Sequence, residues 1–311
     1  MIDILIPTYN RSQDLIKNIY HIDKLVKDEN LLGQFRILIS NNASTDNSAA
    51  ELNNVKGEVD IELVVYQQET NIGLEKNAVF TLEKATSDYV VFLGDDDYFP
   101  SGYLKNLYQV SQSKEFGVVI PGFSALMPDG EIRTARKDFI TRSHNAGMTA
   151  LLDFSSFGHQ LSGLFFEREG VVETYKSDKK NRNIYLFIFF IGYVMKRKPS
   201  LYAPEYQVLV SVGNSKDWSY DASGLLSEIF KNFNALYPHN RGDRVKLCIQ
   251  MMQRQSWRMR IGKNPLLAVK SFSHLLASKD VDILLKVLLP VIYPILYTRN
   301  LAGFIKRWAI G

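Results

Sequence analysis

The sequence predicts an α/β protein: a mixed, mostly parallel sheet flanked by helices, followed by a C-terminal helical region. Three observations carry this. Short Ile- and Val-rich runs recur through the first 122 residues, stretches of helical periodicity separate them, and the charge balance changes sign near residue 240. The runs are "IDILIP" (2–7), "FRILIS" (35–40), "IELVVY" (61–66), "YVVFLG" (89–94) and "FGVVIPG" (116–122). Their length and near-continuous apolar character suit strands buried on both faces.

Between the first two runs, Leu15, Ile19, Ile22 and Val26 form one stripe at helical spacing; Leu74, Ala78, Leu82 and Ala85 do the same before the fourth. Strands alternating with helices in this way imply parallel pairing through right-handed crossovers. A later apolar helix is predicted over 184–195. With 46% hydrophobic and 23% charged residues, disorder is excluded. A single cysteine, Cys248, excludes an internal disulfide, and no Cys/His spacing matches a structural zinc site. Both fit a reducing compartment. "MIDILIPTYN" reads as a strand beginning rather than a signal peptide. "VLLPVIYPILY" (287–297) is too short, with two prolines, to read as a transmembrane helix.

Residues 240–311 hold 13 Lys/Arg against three Asp, whereas the first 239 hold 24 basic and 30 acidic side chains. "NALYPHNRGDR" at the change reads as a loop. We take 1–215 as the α/β domain and 216–311 as a cationic, mostly helical region.

Ligands of open α/β sheets bind beyond the carboxyl ends of the strands. Those ends are polar here: "PTYNR" (7–11), "SNNASTD" (40–46), "ETNIG" (69–73) and "GDDD" (94–97). Such residues favour turns, but four polar tips meeting at one sheet edge point to a site. Asp95, Asp96 and Asp97 are adjacent carboxylates that repel one another unless a cation sits among them. A hard divalent ion, Mn²⁺ or Mg²⁺, takes oxygen ligands and bridges to phosphates. A diphosphate-bearing donor would carry it in.

The ordered set "DILIPTYNRSQDL", "NNASTDN" and "NIGLEKNAVFTLEKATSDYVVFLGDDDYF" resembles the inverting glycosyltransferases of family 2, over roughly residues 2–105. "LGDDD", "SGLFFERE" (162–169) and "VSVGNSKDW" (210–218) resemble the abequosyltransferase-like branch of bacterial O-antigen and capsule enzymes. The resemblance implies a GT-A fold and a nucleotide-sugar donor. Pro7, Thr8, Tyr9 and Arg11 match the loop that wraps base and ribose, with Tyr9 able to stack on the base. Asn41 stands where the family usually has a base-reading aspartate; an amide can serve uracil or cytosine, so UDP is the default donor and CDP or dTDP sugars are alternatives. Asn71, Gly73, Lys76 and Asn77 match the segment near base and diphosphate. Asp95 and Asp96 match the donor-binding carboxylates, and Asp96 and Asp97 are the metal candidates. The family's "DxDD" is "GDDD" here, with Gly94 in place of the first carboxylate.

Inverting transfer needs a general base. The family's Glu-Asp pair is absent from "SGLFFEREGVVETYKSDKKNRNIYLFIFF". Asp178 is the nearest carboxylate before the apolar helix; Asn181 or Asn183 falls at the usual place, and Glu173, Asp153 and His159 are reserves.

The C-terminal stretch sets Arg254, Arg258, Lys263, Lys270, Lys286, Arg299, Lys306 and Arg307 beside Met, Leu and Trp. That combination suits an anionic membrane surface, where a lipid-linked glycan acceptor resides, and places the protein on the inner face of the cytoplasmic membrane. A helical subdomain that packs on the sheet or on a second copy of the chain is the alternative. No nucleic-acid-binding module accompanies the charge. Two further classes stay open: a nucleotidyltransferase, although "PTYNRSQDL" lacks the glycine-rich phosphate loop, and a non-catalytic nucleotide-sugar-binding partner. Sugar and acceptor choice fall to loops such as 122–162.

Overall fold

The computed structural model describes residues 1–212, 225–259 and 265–310, without the side chains of 181, 265 and 300–310. Most of "VSVGNSKDW", Lys263, and the Asn181, Lys306 and Arg307 side chains lie outside the described residues, as does the boundary at 215.

The chain begins β1 (Ile2–Thr8), α1 (Ser12–Asp28), β2 (Phe35–Asn41), α2 (Ser48–Val55), β3 (Glu62–Gln67), α3 (Leu74–Lys84), β4 (Tyr89–Phe92) and α4 (Tyr103–Ser113). Then come β5 (Val118–Leu126), β6 (Ile132–Thr134), β7 (Arg142–His144), α5 (Met148–Phe154), β8 (Phe165–Glu167), α6 (Val171–Ser177), α7 (Leu186–Met195) and β9 (Ser200–Ser211). Helices α8 (Leu226–Leu236), α9 (Arg241–Arg254), α10 (Pro265–Ala277) and α11 (Ile283–Ile310) follow. All nine strands form one sheet in the order β3-β2-β1-β4-β8-β5-β9-β7, with β6 against β5. Pairs β1–β2, β1–β4, β2–β3 and β5–β9 are parallel. β8 runs antiparallel between β4 and β5 and joins the two halves.

Period two explains why the first strands are apolar throughout. Ile4 and Ile6 face the cluster under α1 and α4, while Leu5 between them faces the cluster under α3 and α7. Asp3, the one charge in this run, is buried at the opposite end of β1 from the polar tips. It accepts from Arg36 at 2.8 Å and from the amides of Thr86 and Ser87 at 2.9 and 3.0 Å, tying β1 to β2 and to the entry of β4.

Two strand boundaries differ from those predicted. β4 stops at Phe92 rather than 94, because Gly94 opens a turn closed by the Asp97 amide at 3.2 Å. β5 continues to Leu126 through a bulge between Pro121 and Gly122. The apolar helix is α7. Its Phe190 and Leu186 share one core with Phe230 and Phe233 of α8, Met251 of α9 and Leu289 of α11, so the C-terminal helices pack continuously onto the sheet.

Candidate functional site

The parallel strands bring their tips to one edge. Register sets Thr8 beside Asn41. The two tips are then locked: Asn10 adopts left-handed backbone (φ 54°), its amide donates to Ser44 at 2.9 Å, and its Oδ1 accepts from the Thr45 amide at 2.7 Å. Tyr9, between them, leaves its ring exposed.

At the end of β4 the three aspartates diverge. Asp95 accepts from the Thr8 hydroxyl at 2.8 Å. Asp96, 2% exposed, accepts from Arg11 Nη1 at 3.3 Å. Asp97 turns inward: one oxygen accepts from the Ser211 amide at 2.9 Å and the other from the Ser162 hydroxyl. Ser162 also accepts from the Gly94 amide at 3.0 Å, and the Ser211 hydroxyl donates to the Asp96 carbonyl. Asp97 thus fixes the turn against the segment that enters β8 and against the end of β9. Glycine at 94 follows from this packing, since a Cβ there would sit 2.6 Å from Asp97 Oδ2. The corner is electronegative: the Tyr98 hydroxyl is pushed up by burial and by Asp14, Asp96 and Asp97.

Asn41 is buried, with its nitrogen donating to Gln67 Oε1 at 2.8 Å and its oxygen accepting from the Ser44 amide at 3.2 Å. Asn71 accepts from Asn42 Nδ2 and from the Gly73 amide, both at 2.9 Å. Gly73 enters α3 with φ 84°, where no Cβ clash exists and only the dihedral requires glycine. Lys76 is exposed on the first turn of α3. Asn77 points the other way; buried, it pairs with Ser40 through Oδ1 at 2.6 Å and Nδ2 at 3.0 Å, clamping α3 to β2.

The base candidates fall in different places. Asp178 is exposed and accepts from the Lys180 amide at 2.9 Å. Its segment returns to the polar edge because Arg182 grips Glu75, on the first turn of α3, through two hydrogen bonds of 2.7 and 2.9 Å. Asn183 is held by Tyr175 and by reciprocal amide bonds to Asn232 of α8 at 3.0 and 3.2 Å. Asp153 is bound by Arg142, His144 and Arg254 and held well below the usual carboxylate range despite burial. The His159 ring contacts the Ser156 carbonyl at 2.7 Å; burial, with Arg136 and Arg258 nearby, holds it down to about 4. Glu173 lines a shallow cavity with Arg168, whose amide donates to Asp88 at the opposite end of β4.

Among the described residues no three His, Cys, Asp or Glu side chains converge as a metal cage. The oxygens at 95 and 96 fit instead a hard ion that takes its remaining ligands from phosphate and water. The sequence pattern did not point to Gln67, Asn42, Ser162, Ser211 or the Glu75–Arg182 pair. Glu75, Asn42 and both serines lie inside quoted motifs, but Ser162 and Ser211 are 65 and 114 residues from Asp97 and nothing local signals that they meet it.

The sequence model of glycosyl transferase family 2 matches residues 3–169, more than half of the chain. The chain belongs to this family. No curated protein sequence matches it. Among solved structures it is similar to S. aureus TarS 1–349 in complex with UDP-GlcNAc (TM-score 0.66, 12% identity, 96% of this chain and 88% of that one). It is also similar to TarS 1–349 with UDP (0.62, 13%, 97% and 91%). A third is the mannosyltransferase PcManGT from Pyrobaculum calidifontis with GDP-Man and Mn²⁺ (0.58, 14%, 96% and 83%). At such identities the likeness establishes the fold, which is GT-A-like. Membership of that family makes this protein a glycosyltransferase.

Proposed function

We propose that the protein transfers a sugar, with inversion and metal assistance, from a nucleoside diphosphate to a hydroxyl of a growing surface glycan carried on lipid. The acidic turn at Asp95–Asp97, facing the two nucleoside loops at one sheet edge, is the observation that carries this reading. Asp96 and Asp95 would hold Mn²⁺ or Mg²⁺, and Asp97 would fix the turn that presents them. Bound there, the ion would neutralise charge that grows on the diphosphate leaving group. Tyr9 would stack on the base. The Asn41–Gln67 amide pair would read its edge, with UDP the default and CDP or dTDP the alternatives. Lys76 would face the diphosphate.

Asp178 is the candidate base. Asp153 is fully engaged by cations, and Glu173 lies toward the other end of β4. Arg182 brings the Asp178 segment to the donor edge. Lipid-linked acceptors of O-antigen or capsule type fit a chain that works at the inner face of the cytoplasmic membrane.

The test is a panel of UDP-, CDP-, dTDP- and GDP-sugars with and without Mn²⁺. Metal-dependent release of the nucleoside diphosphate from one donor is expected. Pyrophosphate release would indicate a nucleotidyltransferase, and binding without turnover a non-catalytic partner.

A further inference from the structure

The C-terminal charge does less than its sequence implies. Arg258 is buried, stacked 4.6 Å from the Tyr185 ring and 4.4 Å from the Trp257 ring, and Arg254 is bound to Asp153. Arg244 pairs with Asp282. What stands out instead is apolar. On α11, Leu284, Val287, Val291 and Ile295 recur at helical spacing and face outward, with Val287 68%, Val291 63% and Ile295 59% exposed. On α10, Leu266 (70%) and Val269 (61%) are exposed as well.

The opposite side of α11 is fully committed. Leu285, Leu289, Tyr293 and Leu296 are buried, and the Tyr293 hydroxyl donates to Ala268 at 2.7 Å. This helix therefore stays on the fold, and no helix among the described residues is long and apolar enough to cross a membrane. A helix apolar on both sides needs cover on its outer side.

Charge identifies the cover. From Ile283 to Ile310 the sequence has four basic residues and no acid, and α10 adds Lys270 and no acid. Lys270 and Arg299 are exposed and Lys286 is half-buried. The acids of the connecting loop are paired, Asp282 with Arg244 and Asp280 with Lys231. Two copies stacked through this face would bring only like charges together. Anionic lipid satisfies both the apolar stripe and the positive charge.

We propose that the outer face of α10 and α11 lies flat on an anionic membrane, with the stripe from Leu284 to Ile295 entering the acyl boundary. This deepens, and rests on, the reading of a lipid-borne acceptor. The contact path runs from α11 to α9, from α9 to α8, and through Asn232 to Asn183, beside the Asp178 segment. The docked face is thereby connected to the acceptor side of the site.

The test is co-sedimentation of the full chain with vesicles of phosphatidylcholine alone or mixed with phosphatidylglycerol, alongside Mn²⁺-dependent UDP binding in solution. The wild type is expected on the mixed vesicles. Val287→Glu with Val291→Glu should weaken that binding at least about ten-fold, and Lys270→Gln with Arg299→Gln should remove the preference for the anionic lipid. UDP binding should persist in both, so loss of docking and loss of donor function are read separately. Equal sedimentation of the stripe variant and wild type would overturn the proposal. So would a soluble dimer that Val291→Glu converts to monomer while vesicles bind neither form.

Discussion

Gly94→Ala is the smallest perturbation that reaches the acidic turn. The added methyl would lie 2.6 Å from Asp97 Oδ2, 3.1 Å from its Cγ and 3.2 Å from Ser162 Oγ, where ordinary contact begins at 3.4 Å. The carboxylate must retreat by about 0.8 Å. It is 3% exposed and held by the Ser211 amide at 2.9 Å and the Ser162 hydroxyl, so the retreat breaks at least one of these bonds. Each hydrogen bond to a charged group contributes about 1.5–3 kcal/mol, which sets the expected loss at about 2–5 kcal/mol. Gly94→Asp, which restores the carboxylate usual in the family, should be worse, because it adds like charge where Asp97 already sits. Urea unfolding measures the first quantity, and Mn²⁺-dependent UDP titration shows whether the turn still presents Asp96. A double-mutant cycle with Ser162→Ala should show coupling, since that variant releases one anchor of Asp97. A Gly94→Ala protein within about 0.5 kcal/mol of wild type would refute the packing argument.

Asp178→Asn should lower turnover by about 10²–10⁴ while leaving UDP affinity unchanged, as expected of a general base; steady-state kinetics and calorimetry separate the two. Glu75→Gln should lower kcat more than donor affinity and cost about 1–3 kcal/mol, because Arg182 loses its bidentate partner in a partly buried pair. The exchanged pair Glu75→Arg with Arg182→Glu should recover part of that turnover. His159 is ordinarily protonated below 6.5 and here only below about 4. The unfolded chain therefore takes up its proton first, and the contribution is complete above pH 6.5 and lost as pH falls toward 4. The loss is about 3 kcal/mol of unfolding free energy, measured by urea denaturation across this pH range, and His159→Gln should remove that slope.

The first half of the sheet was legible because its strands read as short, unbroken apolar runs between Ile2 and Phe92; β1, β2 and β4 are covered on both faces, while β3 is a partly exposed edge strand. Of the second half only β5 was legible. β8 has three residues, and β9 interrupts its alternation with Pro204 and Glu205, so neither offers the length or period that marks a strand. The site followed the same division. Thr8, Arg11, Asp95 and Asp96 lie within contiguous motifs and meet as their strands dictate. Asn77 reads as a donor ligand beside Lys76, yet one residue on a helix turns a side chain by roughly 100°, which carries it into the α3–β2 contact. Cationic sequence overstated the charged surface of the C-terminus. Arg254 and Arg258 find their partners in Asp153, Gln255 and Tyr185, and only the fold reveals those pairings.

Calorimetric titration of wild type and Asp96→Asn with UDP, CDP and dTDP, each with and without Mn²⁺, tests the central claim most directly. We expect one nucleotide to bind wild type far more tightly when the ion is present, and Asp96→Asn to lose that gain while keeping its fold. Equal metal-dependent affinity in both proteins would contradict the account.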